Sequence, residues 1–204
     1  MMKLEDIQDI HTHNVHACAG TAIVNLPMEI LEDPHSFHPE EGVLYSAGVF
    51  PLYEGEWNVV MDNLTLLSSH PQIVAIGECG LDKRSSMDIT LQLHYFEKQM
   101  NLAEACHKPL IIHCVRCWDE LIHFQKLHSS HQTRIIHGFR GKPQLAQQLL
   151  NAGFHLSFGP HFNEDSLRLC PSSKRFSETD DHEDICIDDV ISAQANCLQG
   201  VETK

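Results

Sequence analysis

The chain has 204 residues, 42% of them hydrophobic and 21% charged, which suits one domain with a substantial core. Twenty-eight acidic residues against 14 basic ones give a net charge of −14, which disfavours a protein that coats nucleic acid through many phosphate contacts. No 18-residue apolar stretch is present, so no membrane span is expected.

The opening "MMKLEDIQDI" lacks the apolar core of a signal peptide. Eight cysteines without such a signal point to reduced thiols and a cytoplasmic location rather than a disulfide framework. Cys114 and Cys117 form a lone C-x-x-C with no second pair to complete a zinc knuckle, and read as ordinary thiols. No linker or repeat divides the chain, so residues 1–204 are expected to form a single domain, and nothing signals a protein partner.

Eight β-type runs follow one another: "IQDIHTH", "TAIVNLP", "VLYSAGVFP", "IVAIGECG", "PLIIHCV", "RIIHGF", "FHLSFG" and "KRFSETD". Most are near-continuous apolar segments, as parallel strands buried on both faces should be. Between them lie four helical stripes. Trp57, Val60, Met61, Leu64 and Leu67 make the first, and Ile89, Leu93, Phe96, Met100 and Ala103 the second. Trp118, Leu121, Ile122 and Phe124 belong to the third, and the fourth runs from Pro143 to just before Gly153. No helix is assigned beyond the eighth run. The alternation predicts a TIM-type (β/α) barrel. "NVHACAG" and "MEILEDPHSFHPEEG" are too short and broken for regular helices, so the barrel should be trimmed or distorted near its N-terminus.

The ionisable residues fall at the carboxyl ends of the apolar runs, where the active site of such a barrel is built. His11 and His13 sit two apart on an extended strand and offer two imidazoles to one point. Glu78 follows "IVAIG", His113 follows "PLII", His137 follows "RII" and Asp180 follows "RFSET". Four imidazoles and two carboxylates exceed a single three-ligand zinc and suit two divalent cations. His16 and, from the loop after "HLSFG", His161 are minor candidates near this mouth.

At these strand ends the chain resembles the TatD family of metal-dependent hydrolases, whose members include deoxyribonucleases. His11-Thr12-His13 resembles the family's H-x-H, "GECGLD" its G-E-x-G-L-D and "IIHGF" its H-C-F, with Gly138 at the cysteine position. "SETDD" resembles its E-T-D-x-P without the proline. The resemblance implies one cation held by His11, His13, Glu78 and Asp180, and a second held by Glu78, His113 and His137, the metal being Mg, Mn or Zn. It also implies Asp180 as the group that deprotonates water, with Glu78 bridging, and Arg116 as a phosphate contact. The expected reaction is cleavage of DNA ends or another phosphodiester. The alternatives are a small amide, ester or lactone as substrate, or a non-catalytic metal-binding relative. Where the family has a G-x-H-P-H block this chain reads "AGVFPLY", so Phe50 and Leu52 stand in place of two substrate-contacting imidazoles. The resemblance also implies that roughly one βα unit's worth is lacking near the N-terminus, and that the chain stops at "VETK" where a final helix would be expected.

Overall fold

The computed structural model describes residues 4–17, 20–128, 130–182 and 184–200. The eight strands are β1 (Asp9–Thr12), β2 (Ala22–Asn25), β3 (Leu44–Ala47), β4 (Ile73–Asp82), β5 (Leu110–Val115), β6 (Arg134–Ile136), β7 (His155–Phe158) and β8 (Arg175–Ser177). They form one parallel sheet in sequence order, each strand paired with the next. A parallel bridge from Thr12 to Asp180, just beyond β8, brings the last edge back to the first. The result is a nearly closed barrel of the TIM kind, and each strand falls on one of the eight runs read from the sequence, β4 running two residues past its own.

The helices are α1 (Met28–Glu32), α2 (Trp57–Leu67), α3 (Ile89–Cys106), α4 (Trp118–Leu127), α5 (Pro143–Asn151), α6 (Glu164–Leu169) and α7 (Ile187–Gln199). Asp88 caps α3 by accepting a hydrogen bond from the Thr90 N–H, and His107 closes its other end in the left-handed region. The shortfall near the N-terminus lies in helix and not in strand. A turn follows β1, and β2 is followed only by the five-residue α1 and a short 3₁₀ turn. All eight strands are present, so what is trimmed near the N-terminus is helix. The helix α7, absent from the sequence reading, packs Val190 and Gln194 inward at the end of the described residues. Val201–Lys204, the "VETK" at which the chain stops, lies outside them.

Two layers carry the core. Outside the barrel, α3, α4 and α5 bury Phe96, Met100, Leu121, Phe124 and Leu149 against β4 to β7, while α2 covers β2 and β3 with Val60, Met61 and Leu64. Inside, Ile23, Ala75, Ile111 and Ile135 form a fully buried cluster with Ile10. Ile23, Ile111 and Ile135 each stand two residues before Asn25, His113 and His137, so each shares a face with one of them. The apolar inner layer is thus the floor on which the polar mouth is set.

Close backbone approach fixes β4 between its neighbours. A Cβ on Gly48 would lie 2.6 Å from Gly77 Cα, and one on Gly80 only 2.0 Å from the His113 carbonyl oxygen. Gly80 also has φ of 149°. Both sites therefore require glycine, and both flank the residue that proves central, Glu78.

Candidate metal centre

Six strand-end residues converge on the carboxyl mouth of the barrel. Glu78 lies at their middle, and its two oxygens face different imidazole pairs. Oε1 is 2.7 Å from His113 Nδ1 and 2.8 Å from His137 Nε2. Oε2 is 3.6 Å from His11 Nε2 and 3.7 Å from His13 Nε2. Asp180 Oδ1 stands 3.6 Å from His11 Nε2, 3.9 Å from His13 Nε2 and 4.0 Å from His137 Nδ1. Three groupings could each hold an ion: His11–His13–Glu78, His11–His137–Asp180 and Glu78–His113–His137. All six predicted ligands are therefore brought together.

The closure of the barrel does part of this work. The Asp180 N–H donates to the His11 carbonyl (3.0 Å) and the His13 N–H donates to the Asp180 carbonyl (2.9 Å). The seam that joins first strand to last is thus made by three of the candidate ligands. Asn25, at the end of β2, accepts from the Glu78 N–H at 2.8 Å and from the Ser46 hydroxyl at 3.0 Å, which pins the Glu78 backbone.

The site's electrostatics favour cations. His11 is fully buried, and burial, reinforced by His137, pushes its pKa well below the usual imidazole range, leaving a neutral ring with a free lone pair. Neither of its ring nitrogens has a hydrogen-bond partner, and neither His137 Nδ1 nor Glu178 Oε2 has one. Buried polar atoms in that state are costly unless something binds them. The 3.6–3.9 Å spacings around His11 and His13 are too long for hydrogen bonds. They approach the ~3–3.5 Å separation of two atoms that share one ion at about 2.1 Å each. The donor set of imidazole nitrogens and carboxylate oxygens fits divalent transition metals.

Without cations, protons take their place. Burial opposes the charge on Glu78, but His137, His113 and His13 outweigh it and hold the carboxylate well below its ordinary range. Burial likewise opposes charge on His137, yet Glu78 and Glu178 raise that imidazole well above its ordinary value. The neighbouring Glu78 carboxylate raises His13. Burial lifts Asp180, with His137 opposing and Glu178 and Glu78 adding to the rise. Ion binding must displace the protons on His13 and His137, so affinity should weaken as pH falls.

Three buried carboxylates outside the predicted set support the ligands. Asp82 Oδ2 lies 2.9 Å from His113 Nε2, so the ring turns Nδ1 toward Glu78. Glu178 Oε1 accepts from the Gly138 N–H and lies 3.7 Å from His137 Nδ1. Asp9 accepts from the Thr179 N–H (3.1 Å) and hydroxyl (2.7 Å), bracing the seam from behind. Asp82 was visible in principle, since Glu78 and Asp82 are four apart on one extended strand. Glu178 and Asp180 alternate in the same way.

Burial lifts the Asp9 pKa from 3.8 to about 6, with its Thr179 hydrogen bonds opposing. Because the folded-state value is raised, the stabilising contribution is complete below about pH 4 and is lost as pH rises through about 6. Asp9→Asn keeps the shape without the charge. In metal-free protein it should gain about 2–3 kcal/mol over wild type at pH 8 and about half of that at pH 5. Urea unfolding at the two pH values checks this, and an equal change at both would rule it out.

The mouth opens into a cavity of about 640 Å³ lined by His13, Glu78, His113, His137 and Asp180. Leu26, Pro27, Met28, Phe50 and Val115 give it an apolar side, while Arg84 and Arg140 supply positive charge. The Phe50 ring meets His113 edge to face at 4.8 Å. Leu52 is half-buried and lies outside the lining. Arg116 follows β5 with φ of 57°, is exposed, and is not among the lining residues. His16 is exposed in a turn, its N–H bonded to Asn14. His161 is exposed beside His182, at 5.1 Å between ring centroids, and His16 and His161 are both outside the lining. Cys114 lines the cavity, while Cys117 is buried, and burial raises both thiols.

The sequence model of the TatD-related DNase family matches residues 3–184. The chain belongs to this family. Among individual TatD relatives, the 3'-5' ssDNA/RNA exonuclease TatD of Cronobacter turicensis is 35% identical over 122 residues, 56% of this chain and 45% of that protein. The same-named protein of Citrobacter rodentium is 29% identical over 150 residues, covering 66% and 56%. An uncharacterized metal-dependent hydrolase of Buchnera aphidicola is 34% identical over 118 residues, covering 57% and 44%. The chain thus spans about half the length of these relatives.

Solved structures agree on the fold. The TatD homologue YJJV of Escherichia coli K12 superposes with a TM-score of 0.64 at 24% identity, covering 78% of this chain and 67% of that one. A TatD-family hydrolase of Entamoeba histolytica gives 0.61 at 20% identity, covering 85% and 72%. Among the described residues no helix is long and apolar enough to cross a membrane.

Proposed function

We propose that this TatD-family chain is a two-cation hydrolase that cleaves phosphodiester bonds at single-stranded nucleic-acid ends. The observation that carries the reading is the division of Glu78, one oxygen toward His113 and His137 and the other toward His11 and His13. That arrangement suits two ions bridged by one carboxylate. The names of the Cronobacter and Citrobacter relatives support nucleic acid as substrate, and so do two arginines at the mouth of an otherwise acidic protein.

When bound, two divalent cations would polarise the phosphoryl oxygen and lower the pKa of water. Within the chain, Asp180 is the group positioned to orient the attacking water and take its proton, and burial has raised its proton affinity. Glu78 stays charged and turns one oxygen toward each imidazole pair. Asp82 fixes the ring of His113, and Glu178 sets a second negative charge beside His137. Chain-end cleavage needs few phosphate contacts, which suits a protein of net charge −14.

Protein purified without chelator should carry about two cations per chain and release nucleotides from single-stranded DNA with magnesium or manganese. Chelation should stop the release and re-addition should restore it. A second reading, hydrolysis of a small amide, ester or lactone, draws on the apolar side formed by Phe50, Leu26 and Met28. Intact DNA beside a cleaved small ester or amide would establish that alternative.

A further inference from the structure

Arg84 differs from every other cation near the cavity in how it is held. Its Nε lies 3.1 and 3.0 Å from the two Asp82 carboxylate oxygens, and its Nη2 2.6 Å from Oδ2. Its backbone N–H also donates to Asp82 Oδ1 at 2.8 Å. One edge of the guanidinium is therefore committed to Asp82, while Nη1 makes no hydrogen bond within the chain among the described residues. The side chain is 57% exposed and lines the cavity beside His113.

A flexible surface arginine loses rotamer freedom when it binds an anion. Here that cost is met in advance by an anchor that is itself completely buried. Asp82 is also the carboxylate that holds His113 Nε2 at 2.9 Å. One side chain thus sets both the direction of the Arg84 fork and the ring orientation of a candidate ligand. Arg140 lines the same cavity, with no such anchor recorded among the described residues.

Building on the phosphodiester reading, we propose that Arg84 is the residue that grips the substrate phosphate through Nη1. Asp82 is the positioning residue that keeps this grip in register with His113. The role that the sequence suggested for Arg116 passes to Arg84, which reaches the cavity from the loop after β4. The ligand it selects is an anionic phosphodiester with at least one non-bridging oxygen turned toward the β4–β5 side of the mouth.

Two probes of one shape test this: a deoxydinucleotide with its natural phosphodiester, and its uncharged methylphosphonate counterpart. Calorimetric binding to chelator-treated protein should favour the charged probe about tenfold in wild type, the effect of one charge-assisted contact. Arg84→Met should erase the preference, and Arg84→Lys should restore only part of it. In hydrolysis by cation-loaded protein, Arg84→Met should raise KM with kcat nearly unchanged. Asp82→Asn should also disturb the nitrogen NMR signature of His113 and weaken cation binding about 10–100-fold. Arg84→Met should leave that NMR signature in place.

If wild type hydrolyses DNA and Arg84→Met keeps the full charge preference, the assignment of Arg84 fails while the phosphodiester reading stands. If wild type neither discriminates the probes nor cleaves DNA, both fail together. An unmoved His113 signature in Asp82→Asn overturns the positioning role of Asp82.

Discussion

Asp180→Asn should reduce kcat for nucleotide release by about 10²–10⁴-fold, the contribution expected of a positioned proton acceptor. The substitution is well suited to isolate that role. Asp180 adopts φ of 55°, a left-handed conformation that asparagine also tolerates. The seam bonds at Asp180 run through its backbone N–H and carbonyl and not its carboxylate, so the barrel should close as before. Much of the bound metal should remain, because Glu78 and the four imidazoles are untouched. Single-turnover kinetics, metal analysis and circular dichroism together check this. Ordinary kcat in the Asp180→Asn variant would remove Asp180 from the chemistry.

Glu78→Gln should have the broader effect, because it strikes both halves of the site. A glutamine side chain offers one acceptor oxygen, so it cannot serve both imidazole pairs. Its amide N–H₂ would also turn donors toward rings that must themselves stay unprotonated to bind metal. Metal content should fall from two cations per chain to one or none. Affinity should drop by more than the ~10–100-fold typical of supporting residues, with turnover lost alongside. The charge holding His137 protonated would shrink as well, so that imidazole should titrate at lower pH in the metal-free variant. Wild-type stoichiometry in Glu78→Gln would show that the bridge does not depend on this carboxylate.

The barrel was legible because parallel strands covered on both faces are written as short apolar runs, and "PLIIHCV" or "RIIHGF" can hardly be anything else. The four longer helices were legible for the complementary reason, a stripe facing the sheet and a polar back. The helix α7 was not read. Its first turn holds Asp188 and Asp189, and its inward face includes Gln194, which donates to the Phe158 carbonyl and accepts from Ser177. A buried amide hides a stripe from a count of apolar residues. The six-residue α6 has only Leu167 and Ser166 buried, too little to register as periodic.

The six ligand candidates were legible because each ends an apolar run. Asp82 and Glu178 were less legible because each shares its stretch with another carboxylate, Glu78 four residues before the one and Asp180 two residues after the other. Arg84 had no comparable signal. It sits in a loop, where no period constrains direction, and only its fork around Asp82 reveals its place. Arg116 looked better placed in sequence than it is in space, because the chain turns left-handed there and carries the side chain outward.

The seam has a consequence for how the molecule breathes. Its first and last strands are joined, among the described backbone bonds, through the amides of Asp180 and His13. Local opening at this point would scatter half of the ligands, so opening and cation release are one equilibrium. Saturating cation at 100 times its dissociation constant would raise the free energy of that opening by about 2.7 kcal/mol. Hydrogen exchange at those two amides would then slow together on loading, so the chain's weakest join tightens when the ligands that form it are occupied.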